Sequence, residues 1–210
     1  MGFGYENRCI VVDLDGTLVR GNTLHMLILW MLFRVSVSDH IRLARLLFRR
    51  LVRMDTHVRM KGRVLDIAVN SLTNSQIERF VDTLRTHINK EVMMLIEDFR
   101  SRKGHVVVAT AAPDMYARPL VAALGLDKCI SSDTDEVIDS GVEMRNERKK
   151  NEVLSYAASK GLRIDTVVTD HHDDLPLLMI PEVRRVLVNP SAGLCHRLDI
   201  RALPYEVIKF

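Results

Sequence analysis

The chain has 210 residues, of which 47% are apolar and 27% charged, and its formal net charge is +3. This length and composition exclude a disordered or low-complexity chain and allow one domain, or one domain with a sizeable insertion. Three widely spaced cysteines without zinc-ligand spacing, and an N-terminus without an apolar signal core, predict a cytoplasmic protein with reduced thiols. The longest apolar stretch, residues 24–33, is too short to cross a bilayer as a helix.

The first predicted element is a β-branched strand over residues 10–14, which carries two aspartates, Asp13 and Asp15, into a Gly-Thr turn. Because side chains alternate along a strand, both carboxylates lie on the same side of the backbone. An Asp-Gly pair alone is typical of an ordinary Asx turn. Two carboxylates this close to the end of a buried strand, however, are costly without a cation or hydrogen-bond donors. The pair therefore predicts partners elsewhere in the chain.

A long helical insertion is predicted after this strand, because the next strand signal comes much later in the chain. One helical pattern consists of Ile41, Ala44, Leu47, Phe48, Leu51 and Val52, and a second covers residues 77–88. An insertion that leaves and re-enters the fold at strand ends is expected to lie over the active-site end as a cap. The predicted division is a core domain of residues 1–20 and 96–210 and a helical cap of residues 21–95.

The later part of the chain alternates short β-branched runs with helical periodicity. Strands are predicted over residues 106–110, 166–169 and 186–188, and helices over residues 115–124 and 151–158. This alternation favours an open, mostly parallel α/β sheet. Ligands bind to such sheets outside the carboxyl ends of the strands. Asp13, Thr110 and Asp170 each lie at such an end, so we expect the site there.

Four sequence elements along the chain carry a family resemblance. They are the Asp13-x-Asp15-Gly-Thr-Leu turn, the strand that ends at Thr110, the Lys149-Lys150 pair, and the acidic run with Asp170, Asp173 and Asp174. The set resembles the four motifs of the haloacid dehalogenase superfamily of phosphohydrolases, and its helical insertion is similar to that of the phosphoserine phosphatase subfamily. The resemblance implies an α/β fold with a Rossmann-like parallel sheet, helices on both faces and an inserted all-α cap.

The resemblance also implies a role for each motif. Asp13 would be the nucleophile that forms an aspartyl-phosphate, and Asp15 would be the general acid and then the general base. A Mg²⁺ ion would be bound by Asp13, the backbone carbonyl of Asp15 and Asp170. The phosphoryl group would be bound by Thr110, Ala111 and Lys150, and the metal site would be supported by Asp173 and Asp174, the latter also holding the lysine.

Two positions leave alternatives open. Either Lys149 or Lys150 is the motif lysine, and we choose Lys150 because it lies four residues before Leu154, as in phosphoserine phosphatases. His171 and His172 are a candidate zinc site or general base. Adjacent histidines point in divergent directions, so we interpret them as loop residues near the metal.

Asn22 bears on the substrate. Phosphoserine phosphatases carry a glutamate seven residues after the general acid, where it binds the ammonium of the substrate, and this chain has Asn22 at that position. A neutral amide cannot form that ion pair. The resemblance therefore argues against phosphoserine and implies only a small-molecule phosphate monoester.

Residues 34–63 carry nine basic side chains against two acidic ones, a local net charge of +7. The basic amphipathic pattern is typical of a helix at a membrane surface, and in character it resembles the cap of C-type phosphatidylglycerophosphate phosphatases. This predicts a peripheral contact at the inner membrane surface and a lipid-linked phosphate as an alternative substrate. Ordinary cap packing with a solvated arginine face is the other interpretation. The segment is poor in aromatic residues, so we expect no nucleic-acid binding.

Two classes of function remain, a Mg²⁺-dependent phosphatase and a non-catalytic membrane or interaction module on the same fold. The intact motif set favours the enzyme, because a protein that had lost its catalytic function would tolerate substitutions at these positions. A phosphotransferase that uses an alcohol in place of water is a variant of the enzyme.

Overall fold

The computed structural model describes residues 5–51 and 56–209, and a six-stranded parallel sheet lies at the centre of this part of the chain. The strands are β1 (Arg8–Val12), β2 (His105–Pro113), β3 (Lys128–Ser132), β4 (Arg163–Thr169), β5 (Arg184–Val188) and β6 (Glu206–Ile208). Their order across the sheet is β3-β2-β1-β4-β5-β6, and every pairing is parallel. The predicted α/β fold with a parallel sheet is confirmed.

The register of the central strands brings their carboxyl ends to one edge. Val12, the last residue of β1, is paired with Val108 on one side and Val168 on the other. The amide of the next residue, Asp13, donates to the carbonyl of Val168 at 2.9 Å. The ends of β1, β2 and β4 therefore meet, as the sequence predicts. β2 continues beyond its predicted end at Thr110, and its pairing with β3 is irregular there.

Ten α-helices are described, and five of them follow β1 before the chain returns to the sheet. They are α1 (Thr23–Met31), α2 (Val37–Leu51), α3 (His57–Ser71), α4 (Asn74–Arg85), α5 (Lys90–Ser101), α6 (Asp114–Ala123), α7 (Thr134–Ser140), α8 (Asn146–Ser159), α9 (Leu175–Leu178) and α10 (Ala192–Asp199). The predicted boundary between residues 95 and 96 falls inside α5, which contacts β2. The division into core and cap domains stays a prediction.

Apolar side chains fill both sides of the sheet, because alternate residues of each buried strand face opposite layers. On β1, Ile10 and Val12 belong to one core, and Cys9 and Val11 belong to the other. The first core continues into the helical insertion through residues such as Phe80. Helices therefore cover both faces, and the insertion shares its core with one of them.

The orientation of α2 differs from the prediction. The side of the helix that the sequence pattern assigns to the apolar interior faces solvent. Leu43 and Leu46 are buried, whereas the side chains of Ile41, Ala44 and Phe48 are exposed. The helix carries apolar residues on two sides, and only the side with Leu43 packs into the core that includes residues of α3. Packing against the core therefore accounts for Leu43 and Leu46, but not for the described members of the predicted pattern. Leu51 and Val52 belong to the same pattern, but their side chains lie outside the described residues.

In the described part of the chain, every helix is too short or too polar to cross a lipid bilayer.

Candidate active site

A cavity of about 440 Å³ opens at the carboxyl edge of β1, β2 and β4. Its lining includes the predicted site residues Asp13, Asp15, Asn22, Thr110, Ala111, Asp170, Asp173 and Asp174. It also includes residues that the sequence does not single out, among them Lys61, Tyr116, Glu143 and Arg145. Of the predicted site residues, Lys150 alone does not line the cavity.

Asp13, Lys149 and Asp174 form a buried charged cluster beneath the cavity. The Lys149 ammonium nitrogen lies 2.7 Å from Asp13 Oδ1 and 2.7 Å from Asp174 Oδ1. The hydroxyl of Thr169 donates to Asp174 Oδ2 at 2.7 Å, which fixes that carboxylate from the end of β4. Burial raises the pKa of Asp13 well above its ordinary value; Lys149 opposes this rise, and Asp174 and Asp170 add to it. The cluster therefore holds more negative than positive charge.

The structure places Lys149 at the cavity and Lys150 away from it, contrary to the expectation that Lys150 lies at the site. Lys150 forms an ion pair with Glu147, an exposed residue of the same helix, whereas Lys149 is 3% exposed and contacts two carboxylates. Successive residues of an α-helix are rotated by about 100°, so neighbouring lysines on α8 cannot both face the site. Burial alone would lower the pKa of Lys149, but Asp13 and Asp174 raise it overall, and the side chain is therefore charged.

Asp15 lies at the mouth of the same cavity and is partly exposed. One of its carboxylate oxygens accepts a hydrogen bond of 2.7 Å from the backbone amide of Thr23, at the start of α1. Burial raises the pKa of Asp15, although the hydrogen bonds from Thr23 lower it. A carboxyl group with a raised pKa and access to the cavity is suited to proton transfer.

Gly16 and Asp170 approach each other so closely that only a glycine fits. Gly16 has a φ of +72°, and a Cβ on it would lie 2.2 Å from Asp170 Oδ2. The hydroxyl of Thr17 donates to the other oxygen of Asp170 at 3.3 Å. Burial raises the pKa of Asp170 to about 6, and Asp174 and Asp15 add to the rise.

The donor set at this edge fits a hard divalent cation. Asp13, Asp15 and Asp170 supply carboxylate and carbonyl oxygens to one cavity, and oxygen ligands are those that Mg²⁺ prefers. Burial and the neighbouring carboxylates raise the pKa values of Asp13 and Asp170, so further positive charge at this edge would stabilise their ionised forms. A bound divalent cation would supply that charge.

Thr110 and Ala111 lie on β2, where the strand passes the cavity. Thr110 is 1% exposed, and its hydroxyl oxygen accepts a hydrogen bond of 3.0 Å from the amide of Ala112. The carbonyl of Ala111 accepts from Lys61 Nζ at 2.8 Å and from the hydroxyl of Ser132 at 2.8 Å. The structure thus brings both residues to the cavity, and their binding of phosphate stays a prediction.

A row of alternating charges connects α3 to the loop after β4. Lys61 forms an ion pair with Glu143, and their side chains are only 5% and 6% exposed. Arg145 lies 3.1 Å from Glu143 and also forms an ion pair with Asp173. Burial alone would raise the pKa of Glu143 and Asp173, but these cations lower both overall. In the structure Asp173 is paired with Arg145, and its support of a metal stays a prediction.

The sequence reasoning missed Lys61 and Glu143. Lys61 stands in the basic segment 34–63 and looks like one more solvated cation. Its partner lies 82 residues away in the chain, and no local pattern links the two. Only the packing of α3 against α7, which precedes Glu143, brings them together.

His171 and His172 lie at the rim, on the loop that follows β4. Their ligand nitrogens and a carboxylate oxygen of Asp173 all lie within 4.8 Å of one another. Both imidazoles are exposed, and Asp173 is already paired with Arg145. Their placement agrees with the interpretation as loop residues beside the site.

Asn22 lines the cavity, but its side chain is used locally. Its amide oxygen accepts a hydrogen bond of 3.0 Å from the backbone amide of His25 and caps the N-terminus of α1. The next residue, Thr23, is hydrogen-bonded to the buried hydroxyl of Tyr116 at 3.0 Å. This anchors the start of the insertion beside Asp15.

Comparison with known proteins agrees with this geometry. The model of the haloacid dehalogenase-like hydrolase family matches residues 10–179. A search of the curated proteins finds no significant match.

Solved structures share the fold at low identity. A protein of unknown function from Bordetella pertussis Tohama I is 20% identical, with a TM-score of 0.74 over 96% of this chain and 97% of that one. A HAD family hydrolase from Salmonella enterica serovar Typhi is 12% identical, with a TM-score of 0.68 over 96% of this chain and 67% of that one. A phosphoserine phosphatase, solved as an analogue of its phospho-aspartyl intermediate, is 16% identical, with a TM-score of 0.59 over 91% of each chain.

Proposed function

The chain belongs to the haloacid dehalogenase-like hydrolase family, and we propose that it is a Mg²⁺-dependent phosphatase of organic phosphate monoesters. The observation that carries this proposal is the buried contact of Asp13 with Lys149, in a cavity that also holds Asp15 and Asp170. A nucleophile, a charge-stabilising cation, a proton-transfer group and a metal-binding oxygen set thus meet in one place.

Asp13 is the proposed nucleophile. Its carboxylate oxygen attacks phosphorus while the bond from phosphorus to the leaving oxygen breaks, which gives an aspartyl-phosphate and an alcohol. Lys149 lies 2.7 Å from Asp13 Oδ1, and its charge favours the ionised carboxylate in spite of burial. The same ammonium compensates negative charge on the phosphoryl oxygens.

Asp15 is the proposed proton-transfer group. Its raised pKa favours the protonated form, which delivers a proton to the departing alkoxide. Asp15 then takes a proton from the water that attacks the aspartyl-phosphate, and inorganic phosphate leaves. The hydrogen bond from the Thr23 amide holds the carboxyl group at the cavity throughout.

Asp13, the backbone carbonyl of Asp15, and Asp170 are the residues that would hold Mg²⁺. When bound, the ion neutralises charge on the phosphoryl group and on the surrounding carboxylates. Asp174 holds Lys149 in place, while Thr110 and Ala111 complete the proposed phosphoryl site from β2.

The test is turnover of p-nitrophenyl phosphate by the full chain, with and without Mg²⁺. We expect activity that EDTA abolishes and Mg²⁺ restores, a loss of activity in Asp13→Asn, and unchanged activity in Asp139→Asn, an exposed aspartate that does not line the cavity. Full activity in Asp13→Asn would overturn the proposal.

A lipid-linked phosphate monoester is the second candidate substrate. The observation that favours it is the exposed apolar side of α2, which lies on the insertion next to the cavity-lining helix α3. Release of phosphate from a lipid phosphate in vesicles should then exceed release from a short-chain analogue in solution. Equal rates for the two would remove this candidate and leave the phosphatase proposal intact.

A further inference from the structure

One side of α2 carries a row of exposed apolar side chains, which we call the α2 face: Val37, Ile41, Ala44 and Phe48. Successive spacings of four, three and four residues place these side chains in one stripe along a helix. Val37 is 77% exposed, Ile41 49% and Phe48 63%. The α2 face therefore lacks cover from the described part of the chain, although Leu43 on the same helix is fully buried.

The apolar surface continues beyond α2 into the preceding residues. Phe33, which follows α1, is 83% exposed, and Leu29 on α1 is 61% exposed. Among the described residues, Phe33 and Phe48 are the large exposed aromatic side chains, and both lie in this stretch. Exposed apolar residues elsewhere, such as Met94 and Ile200, come from separate elements. Concentrated exposure of this kind marks an interaction surface.

Arginines accompany the apolar stripe. Arg45 and Arg42 are exposed on α2, and Arg34 is exposed between α1 and α2, where its guanidinium lies 4.2 Å from the Trp30 ring. Asp39 is the one acidic residue in the sequence of α2; Arg42 pairs with it and with Asp66 of α3, so Arg34 and Arg45 are the cations that accompany the stripe. The surface around the α2 face is therefore cationic. A partner that matches it would offer an apolar layer covered by anionic groups.

We propose that the α2 face docks the protein peripherally on an anionic lipid bilayer, with α2 in the plane of the interface. The 15 residues of α2 span roughly 22 Å at 1.5 Å per residue, short of the roughly 30 Å of a bilayer core, so the helix lies on the membrane. A two-fold dimer through the same face would place the like charges of Arg45 from both copies at one interface, which disfavours a second copy as the occupant. This inference goes beyond the proposed function and does not rest on it.

Co-sedimentation of the full chain with vesicles tests the proposal. The vesicles contain phosphatidylcholine alone or phosphatidylcholine with phosphatidylglycerol. We expect binding to the anionic vesicles at low salt, weaker binding at high salt, and at least an about tenfold weaker partition for the triple variant Val37→Ser/Ile41→Ser/Phe48→Ser. The matched control Met94→Ser/Leu154→Ser/Ile200→Ser removes exposed apolar residues elsewhere and should bind like the wild type.

A second measurement does not depend on a triple variant. In Phe48→Trp, the new indole should shift its emission to the blue when anionic vesicles are added, while Leu154→Trp should show no shift. The proposal is overturned if the wild type stays in the supernatant, if the triple variant binds as tightly as the wild type, or if the indole of Phe48→Trp does not respond. It is also overturned if ultracentrifugation shows a dimer that the triple variant converts to a monomer, since a second copy would then cover the face.

Discussion

The ammonium of Lys149 lies 2.7 Å from a carboxylate oxygen of Asp13, and both side chains are buried. The contact joins the end of β1 to the first turns of α8, across 136 residues of sequence. In the proposed mechanism, this ammonium favours the ionised form of the nucleophile against the effect of burial and compensates negative charge on the phosphoryl group.

The two neighbouring lysines should differ sharply in their importance. We expect Lys149→Ala to lower kcat for p-nitrophenyl phosphate by at least about a hundredfold, because it removes charge stabilisation from the transition state. Lys150→Ala should stay within about twofold of the wild type, since that side chain pairs with exposed Glu147. Steady-state kinetics of the two variants test this prediction. A larger loss of kcat in Lys150→Ala would contradict the proposed role of Lys149.

The close approach of Gly16 to Asp170 makes a second prediction. Gly16→Ala should lose about a hundredfold in activity and need more Mg²⁺, because its Cβ would displace Asp170. Gly125→Ala is the matched control, with a similar positive φ of +64° but no atom within 4 Å of the added Cβ. Both variants bear a backbone cost of about 1 kcal/mol. Equal activity of the two would show that the contact with Asp170 does not matter.

The buried pair of Lys61 and Glu143 should stabilise the packing of the insertion over the sheet. Glu143→Gln leaves the Lys61 ammonium without its carboxylate, so the free energy of unfolding at pH 7 should fall by about 3 kcal/mol. Asp82→Asn breaks the exposed pair with Arg85 and should change stability little. Denaturant unfolding at pH 7 measures both variants.

The same pair makes stability depend on pH in a defined direction. Because Lys61 and Arg145 lower the pKa of Glu143 below its ordinary value of 4.5, its contribution is complete above that value. The contribution is lost as pH falls through the lowered pKa of the folded state. The stability difference between the wild type and Glu143→Gln should therefore be constant near neutrality and shrink below about pH 4.5. A difference that grows in acid would contradict this sign.

The cysteines should react unequally with thiol reagents. Burial raises the pKa of Cys9 to about 12 and that of Cys129 to about 11, so very little thiolate exists at pH 8. In the variant Cys195→Ser, we expect slow reaction with Ellman's reagent in the native state and rapid reaction of both remaining thiols in urea. Fast labelling of that native variant would show that Cys9 or Cys129 is accessible.

The sequence predicts the strands that are buried on both faces, because their β-branched runs stand out. The sequence does not predict β3 and β6, and the reasons are physical. β3 has the sequence Lys-Cys-Ile-Ser-Ser and ends in two buried serines, and β6 is a three-residue edge strand in which Glu206 and Val207 are exposed. Such short, polar segments become strands only through pairing with β2 and β5.

Rotation about a helix axis is the second limit on prediction. Lys149 and Lys150 are adjacent near the start of the same helix, so they differ only in the direction in which their side chains leave it. The sequence does not show which of the two directions faces the site. On α2, Leu43 and Ile41 belong to two apolar sides, and the sequence does not show which one packs against α3. Long-range packing also creates the contact of Lys61 with Glu143, which no local pattern encodes.

The most direct test of the proposed mechanism is to trap the phosphorylated protein during turnover. Acid quenching of the wild type with substrate and Mg²⁺, followed by peptide mass spectrometry, should find one added phosphoryl group on the peptide that contains Asp13. The group should be absent from Asp13→Asn and should be retained longer in Asp15→Asn, which lacks the base for hydrolysis. A fully active wild type that forms no phosphoryl-aspartate, or carries the phosphoryl group on another residue, would contradict the mechanism.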